Sequence, residues 1–166
     1  IDFGSFVSPR AVPQMKDTHY VLDNLDLTNS KSKLLSIAAN FRGAKEACSF
    51  SKIDYLGYPF SISENFQMRN TNKTISESIT ELKKIISICD KHDKEIVIYL
   101  SMGFGNPYGD PWNYEIVDKW ISVLKLLGIK IISISDTIGA AKKDDVYEVF
   151  SKAIVDYPNI EFGAHF

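Results

Sequence analysis

The sequence predicts an α/β protein on three observations. Six short runs are apolar and often β-branched or aromatic, as strands are; helically spaced stretches alternate with them; and 166 residues with 45% hydrophobic side chains supply one domain's core. Such alternation argues for parallel βαβ units, in which helices cover a sheet whose strands read as nearly continuous apolar runs. No internal repeat, low-complexity segment or Pro/Gly-rich linker divides the chain, so residues 1–166 read as a single domain.

The elements follow in order. The first strand-like run is Ile1–Phe6, and a helix is expected over about Val12 to Asp23, with Pro13 near its start, where a missing N–H costs nothing. Runs at Leu34–Ala39 and Ile53–Tyr58 come next. After Thr74, residues Ile75, Ile79, Leu82, Ile86 and Cys89 recur at spacings of three and four, and Thr74-x-x-Glu77 reads as a capping box, so an amphipathic surface helix is expected. Ile96–Ser101 is the fourth run. The following helix, about Tyr114 to Leu127, turns Val117, Trp120, Leu124 and Leu127 inward, and Gly128 is placed to stop it in a left-handed conformation. Ile129–Ser135, a helix over roughly Asp144 to Tyr157 ended by Pro158, and Ile160–Ala164 complete the series. A doubly wound open sheet of five or six strands fits this length, whereas a (β/α)₈ barrel typically needs about 250 residues. The pattern alone leaves both open.

Charge and composition exclude several classes. Lys+Arg of 19 against Asp+Glu of 21 gives a net −2, with no basic excess for nucleic acid or an anionic membrane surface. The longest apolar runs, such as Ile96–Leu100 and Leu126–Ile129, fall far short of the ~20 residues of a bilayer span. Cys48 and Cys89 share no CxxC or CxH spacing and sit within helix-like apolar patterns, as buried thiols do, which fits a reducing cytoplasm. The chain opens on Ile rather than Met, so its first residue is not expected to be a native start.

In either architecture the loops after the strands' C-terminal ends form the working face. Those ends carry Ser5 and Ser8; Asn40 and Arg42; Ser61, Ser63 and Glu64; Ser101 with the loop Met102–Pro111; Ser133, Ser135, Asp136 and Thr137; and His165. Simpler roles compete. Ser8, Ser61 and Ser63 read first as caps or turn formers, and Asp136-Thr-Ile-Gly139 could be a turn closed by its glycine. The Met102–Pro111 loop has three glycines but neither the Lys and Ser/Thr of a P-loop nor GxGxxG spacing. A lone histidine such as His165 on an apolar strand is more often a satisfied core residue than a ligand, while His19 and His92 read as solvated.

Five segments together carry a family likeness: Ser5-Phe-Val-Ser-Pro-Arg-Ala-Val-Pro-Gln-Met15; Asn40-Phe-Arg-Gly43; Tyr99-Leu-Ser101 with Gly105-Asn-Pro-Tyr108; Ser135-Asp-Thr-Ile-Gly139; and Gly163-Ala-His165. Their order and spacing resemble 3-hydroxy-3-methylglutaryl-CoA lyase, within the metal-dependent lyases and Claisen-condensing enzymes built on a (β/α)₈ barrel. Ser5–Met15 is highly specific to the lyase, whereas Asp136-Thr-Ile-Gly139 recurs in related synthases. The resemblance implies a TIM barrel, incomplete here, with about six of the eight βα units and barrel strands two to seven.

It also implies a reaction: retro-Claisen cleavage of 3-hydroxy-3-methylglutaryl-CoA to acetyl-CoA and acetoacetate. A divalent cation, Mg²⁺ or Mn²⁺, would chelate the substrate's hydroxyl and carboxylate oxygens and acidify the hydroxyl. The family holds it with a first-strand Asp, two His in His-x-His and a late Asn. The His-x-His spacing is natural on a strand because residues i and i+2 share a face. His165 matches the first histidine, while the second would be residue 167. The first-strand Arg-Asp pair, the late Asn and the Cys-containing loop fall outside the chain. Asp136 resembles the carboxylate near the reacting hydroxyl, and Ser5 and Ser133 resemble residues lining the substrate site. Asp2 stands where the family has a Glu supporting the metal region. Asn40 and Arg42 fall among the CoA-side or cleft residues, where Arg42 could meet a phosphate. Asn106 replaces a frequent family Cys.

The resemblance thus implies a small-molecule CoA thioester as partner, with neither nucleic acid nor membrane, and a homo-oligomer compatible with it. Two alternatives stay open: an aldolase or Claisen synthase joining an acyl-CoA to a 2-oxo acid, and a non-catalytic α/β module that only binds. On its own the 166-residue piece is expected to be inactive and, with open strand edges at Ile1–Phe6 and Ile160–Ala164, aggregation-prone.

Overall fold

The structure, a computed structural model, describes residues 1–166 and has the expected α/β alternation. Its elements are β1 (Asp2–Ser5), α1 (Thr18–Asn24), β2 (Leu34–Ile37), α2 (Phe41–Cys48), β3 (Ile53–Ser61), α3 (Glu64–Thr71), α4 (Ile75–Lys91), β4 (Glu95–Ser101), α5 (Tyr114–Leu126), β5 (Ile131–Ser135), α6 (Lys143–Asp156) and β6 (Glu161–His165). The strands follow chain order in one sheet, and β1 with β2, β2 with β3, β4 with β5 and β5 with β6 pair in parallel. A doubly wound sheet reverses its order at a switch point, whereas a (β/α)₈ barrel adds each strand beside the last. The unbroken order is therefore that of a barrel, here with six of its strands.

Several boundaries differ from the sequence reading. The first helix starts at Thr18 rather than near Val12, because Pro13–Met15 form a separate 3₁₀ turn. The fifth strand begins at Ile131, since Gly128, with φ of +88°, turns the chain first. Two short helices, α2 and α3, were given no bounds from the sequence, although Cys48 was read within a helix-like pattern. Each is eight residues long and starts on a side-chain cap: Asn40 accepts from the Gly43 N–H, and Ser63 from that of Phe66. The capping box at α4 is present as predicted, with the Thr74 N–H donating to Glu77 (2.8 Å) and the Glu77 N–H to Thr74 (3.1 Å).

The chain forms two compact units. The first comprises Ile1–Tyr58 and Glu81–Ile96. Its core includes Leu22, Leu34, Ala44, Ala47, Ile53, Leu56 and Ile85, all buried. The Lys52 ammonium closes the end of α1 by donating to the carbonyls of Leu22 (2.8 Å), Asp23 (3.2 Å) and Leu25 (3.0 Å). The Leu22 carbonyl also accepts from the Leu25 N–H (3.4 Å), and a cation at these last carbonyls meets the negative end of the helix dipole. Gly43 has no alternative: a Cβ there would overlap the Phe6 carbonyl, whose own residue is pinned by Phe6 N–H donating to Ile37 O at 2.7 Å.

The second unit comprises Pro59–Thr80 and Val97–Phe166. Its strand β5 alternates Ile and Ser, so Ile132 and Ile134 face one way and Ser133 and Ser135 the other. Ile132, Ile134, Leu100, Val117, Ile121, Leu124, Val149 and Ala153 are fully buried, which places the sheet's apolar face against the helices. Gln67 satisfies a buried polar cluster at both ends. Its Oε1 accepts from the Ser61 N–H at 2.7 Å, and its Nε2 donates to Thr71 (2.7 Å) and Ser78 (2.8 Å).

Candidate functional site

Apart from Asp2, at the start of β1, and Ser133, in the middle of β5, the residues singled out lie at or beyond the C-terminal ends of their strands. In the first unit, Ser5 ends β1. Its hydroxyl donates to Ile37 O (3.2 Å), and its N–H donates to the Thr18 hydroxyl (3.3 Å), tying the strand end to α1. Ser5 and Arg42 line one cavity of about 110 Å³, together with Lys16, Thr18, His19 and Glu46. Three cationic or protonatable side chains against one carboxylate make it suited to an anionic group. His19 is exposed, in keeping with its reading as a solvated residue, and it also pairs with Glu46 at 3.1 Å, its ring lying 5.1 Å from that of Phe6 and 5.4 Å from that of Phe50. Asn40 spends its Oδ1 on capping α2, and that cap is what sets Arg42 in the helix's first turn. Asp2 is exposed at the start of β1 and is not among the cavity's lining residues.

In the second unit, register brings three candidates together. Tyr99, Ser133 and Gly163 lie level across β4, β5 and β6, and Ser135 is level with His165 one step further on. Because alternate residues share a face, Tyr99, Ser133, Ser135 and His165 all face away from the buried isoleucines. The small Ser133 lets the Tyr99 ring pass over β5 to meet the His165 ring edge-to-face at 5.1 Å. Tyr99 was overlooked as a site residue, although its i+2 relation to Ser101 marks it for the polar face.

Asp136 follows directly. Its N–H donates to His165 O (2.9 Å), while its two carboxylate oxygens accept from the N–H groups of Ala140 (2.8 Å) and Ala141 (3.0 Å). Asp136-Thr-Ile-Gly139 is thus a turn, closed by Gly139 at φ of +68°, and the turn fixes the carboxylate. A carboxylate has about four acceptor directions, so two remain for a ligand hydroxyl. The turn reading and the functional reading are compatible.

The loop after β4 is anchored on both sides. Met102 is buried in the left-handed region (φ of +61°) with its N–H donating to the Thr137 hydroxyl at 2.8 Å. Asn106 accepts from the N–H groups of Tyr108 and Asp110 and donates to Asp110 O, so its amide shapes the loop. Asp110 in turn accepts from the Ser63 hydroxyl and from Asn65 Nδ2 (2.6 Å) and N–H (3.2 Å). The three serines read as caps or turn formers take those roles: Ser8 accepts from Arg10 N–H, Ser61 from Ser63 N–H, and Ser63 caps α3.

The hydrogen bonds from Ser63 and Asn65 hold the Asp110 carboxyl below its ordinary range. A depressed folded-state value contributes stability that is present above the unfolded carboxylate value, about 3.9, and is lost as pH falls through the folded one. Below about pH 4 the Asp110 clamp is therefore expected to open, and Asp110→Asn should flatten this part of the acid limb of the thermal midpoint. Parallel acid limbs for wild type and variant would contradict it.

No group of three or more His, Cys, Asp or Glu side chains is gathered so as to hold a metal ion. His165 is a single donor. No helix is long and apolar enough to cross a membrane.

Comparison with known proteins gives a consistent result. No family model matches the chain. The hydroxymethylglutaryl-CoA lyase YngG of Bacillus subtilis is 30% identical over 174 residues, covering 100% of this chain and 55% of the relative. A crystal structure of the Bacillus subtilis HMG-CoA lyase matches with a TM-score of 0.91 at 30% identity, over 100% of this chain and 55% of that one. An HMG-CoA lyase from Acinetobacter baumannii, solved in complex with coenzyme A and 3-methylmalate, shares the fold with a TM-score of 0.90 at 23% identity, over 100% of this chain and 53% of its own. The family resemblance read from Ser5–Met15 and the later motifs therefore extends along the whole chain, which spans about half the length of the relatives it matches.

Proposed function

We propose that this chain supplies the middle of a barrel that cleaves the carbon–carbon bond of 3-hydroxy-3-methylglutaryl-CoA, giving acetyl-CoA and acetoacetate. The observation that carries the proposal is the whole-length likeness to hydroxymethylglutaryl-CoA lyases, together with a turn-held carboxylate at Asp136 directly after the β5 serine face. Asp136 takes the proton of the tertiary hydroxyl. The O–H electron pair becomes the ketone of acetoacetate, and the pair of the breaking C–C bond passes to the acetyl-CoA enolate, which is then protonated. The family resemblance assigns Ser133 and Ser5 to the substrate and Arg42, set by the Asn40 cap, to its anionic CoA side.

The family resemblance implies a divalent cation, Mg²⁺ or Mn²⁺, with His165 as one ligand and Asp2 in its support. This chain's residues alone do not gather such a ligand set. We place the protein in the cytoplasm on its two unpaired thiols.

Acetoacetate release from 3-hydroxy-3-methylglutaryl-CoA, assayed on the full-length protein with and without Mg²⁺ or Mn²⁺, tests the proposal. Metal-dependent cleavage is expected. Cleavage without metal, no cleavage, or turnover of an acyl-CoA with a 2-oxo acid instead would overturn it.

A further inference from the structure

Cys48, the last residue of α2, and Cys89, in the last turn of α4, are both buried free thiols whose sulfurs lie 3.7 Å apart. They are separated by 41 residues, and neither belongs to the site described above. A disulfide needs its sulfurs at about 2.05 Å, so the pair must close by less than about 2 Å. The same two helices are also joined at the other end of α2, where the Phe41 N–H donates to the Glu81 carboxylate at 2.7 Å. Their relative position is thereby fixed at two points, and the thiols stay in register.

We infer that Cys48 and Cys89 are a prepositioned dithiol that a peroxide converts to an intramolecular disulfide joining α2 to α4. The order of attack follows from their surroundings. Hydrogen bonding from Cys89 and the nearby Lys94 ammonium favour the Cys48 thiolate, whereas the hydrogen bond with Cys48 and burial push the Cys89 thiol up. The Cys48 thiolate attacks one peroxide oxygen, the O–O bond breaks, and the departing hydroxide takes a proton to leave as water. Cys48 is then a sulfenic acid. The Cys89 sulfur attacks the Cys48 sulfur, the S–S bond forms as the S–O bond breaks, and the hydroxide takes the Cys89 proton as a second water. Two thiols and one peroxide become one disulfide and two waters. The reaction is independent of the proposed lyase activity.

The test treats the native protein with hydrogen peroxide, quenches it, and reads intact mass and a non-reducing peptide map. The expected result is loss of two hydrogens, one linked peptide pair containing Cys48 and Cys89, and a melting temperature raised on the order of 10 °C and restored by dithiothreitol. In Cys89→Ser a dimedone-trapped sulfenic acid at Cys48 is expected; if that variant does not fold, the wild-type map decides alone. Both thiols still alkylatable after unfolding, a cross-link between two chains, or sulfinic acid without a cross-link would each overturn the inference.

Discussion

Asp136→Asn in the full-length protein is expected to lower turnover of 3-hydroxy-3-methylglutaryl-CoA by roughly 10²–10⁴-fold while the melting temperature changes little. The amide keeps one oxygen to accept from Ala140 or Ala141, so most of the turn survives. Its nitrogen faces the other N–H, a local mismatch worth about 1 kcal/mol. What the amide cannot do is accept a proton from a hydroxyl. Activity near that of wild type would remove Asp136 from the mechanism, and a collapse of stability matching the loss of activity would reduce it to a turn residue. Steady-state kinetics beside a thermal melt separates these results.

Gly43→Ala is expected to destabilise the fold by roughly 3 kcal/mol or more, against the usual direction for a helix. Alanine inside a helix ordinarily gains about 1 kcal/mol over glycine. Here the new methyl would overlap a backbone carbonyl, that of Phe6, which cannot swing aside as a side chain could. Phe6 is held by its hydrogen bond to Ile37, so relief would require moving the end of β1 and Ser5 with it. Urea denaturation of the variant measures the effect. A ΔΔG near zero would show that β1 yields freely, contrary to the packing described.

The α/β class was legible because long amphipathic helices and apolar strands carry strong periodicities, and α4 with its capping box is the clearest case. Helices α2 and α3 were missed for physical reasons. Phe41–Cys48 is only two turns long and its buried stripe is made of small residues, Gly43, Ala44, Ala47 and Cys48, while Glu64–Thr71 is largely polar, so neither carries a long stripe of large apolar side chains. Of their caps, Ser63 was read as a cap or turn former, whereas Asn40 was read only as a strand-end residue, so neither marked a helix start. Strand order decided between barrel and open sheet, and no local pattern encodes it. The site behaved differently again: Asp136, Ser133 and His165 stood out through family likeness, whereas the Tyr99–His165 contact depends on the register of three strands.

The left-handed backbone at Met102 bears on how the polar face responds to change. A non-glycine residue held there costs on the order of 1–2 kcal/mol, and it persists only because neighbours impose it. One of those neighbours is the Thr137 hydroxyl, which belongs to the turn that carries Asp136. The loop after β4 and the turn after β5 are thus thermodynamically linked: relaxing residue 102 breaks a bond to the second segment, and displacing Thr137 lets the first unwind. Evolution or engineering at either loop therefore acts on both.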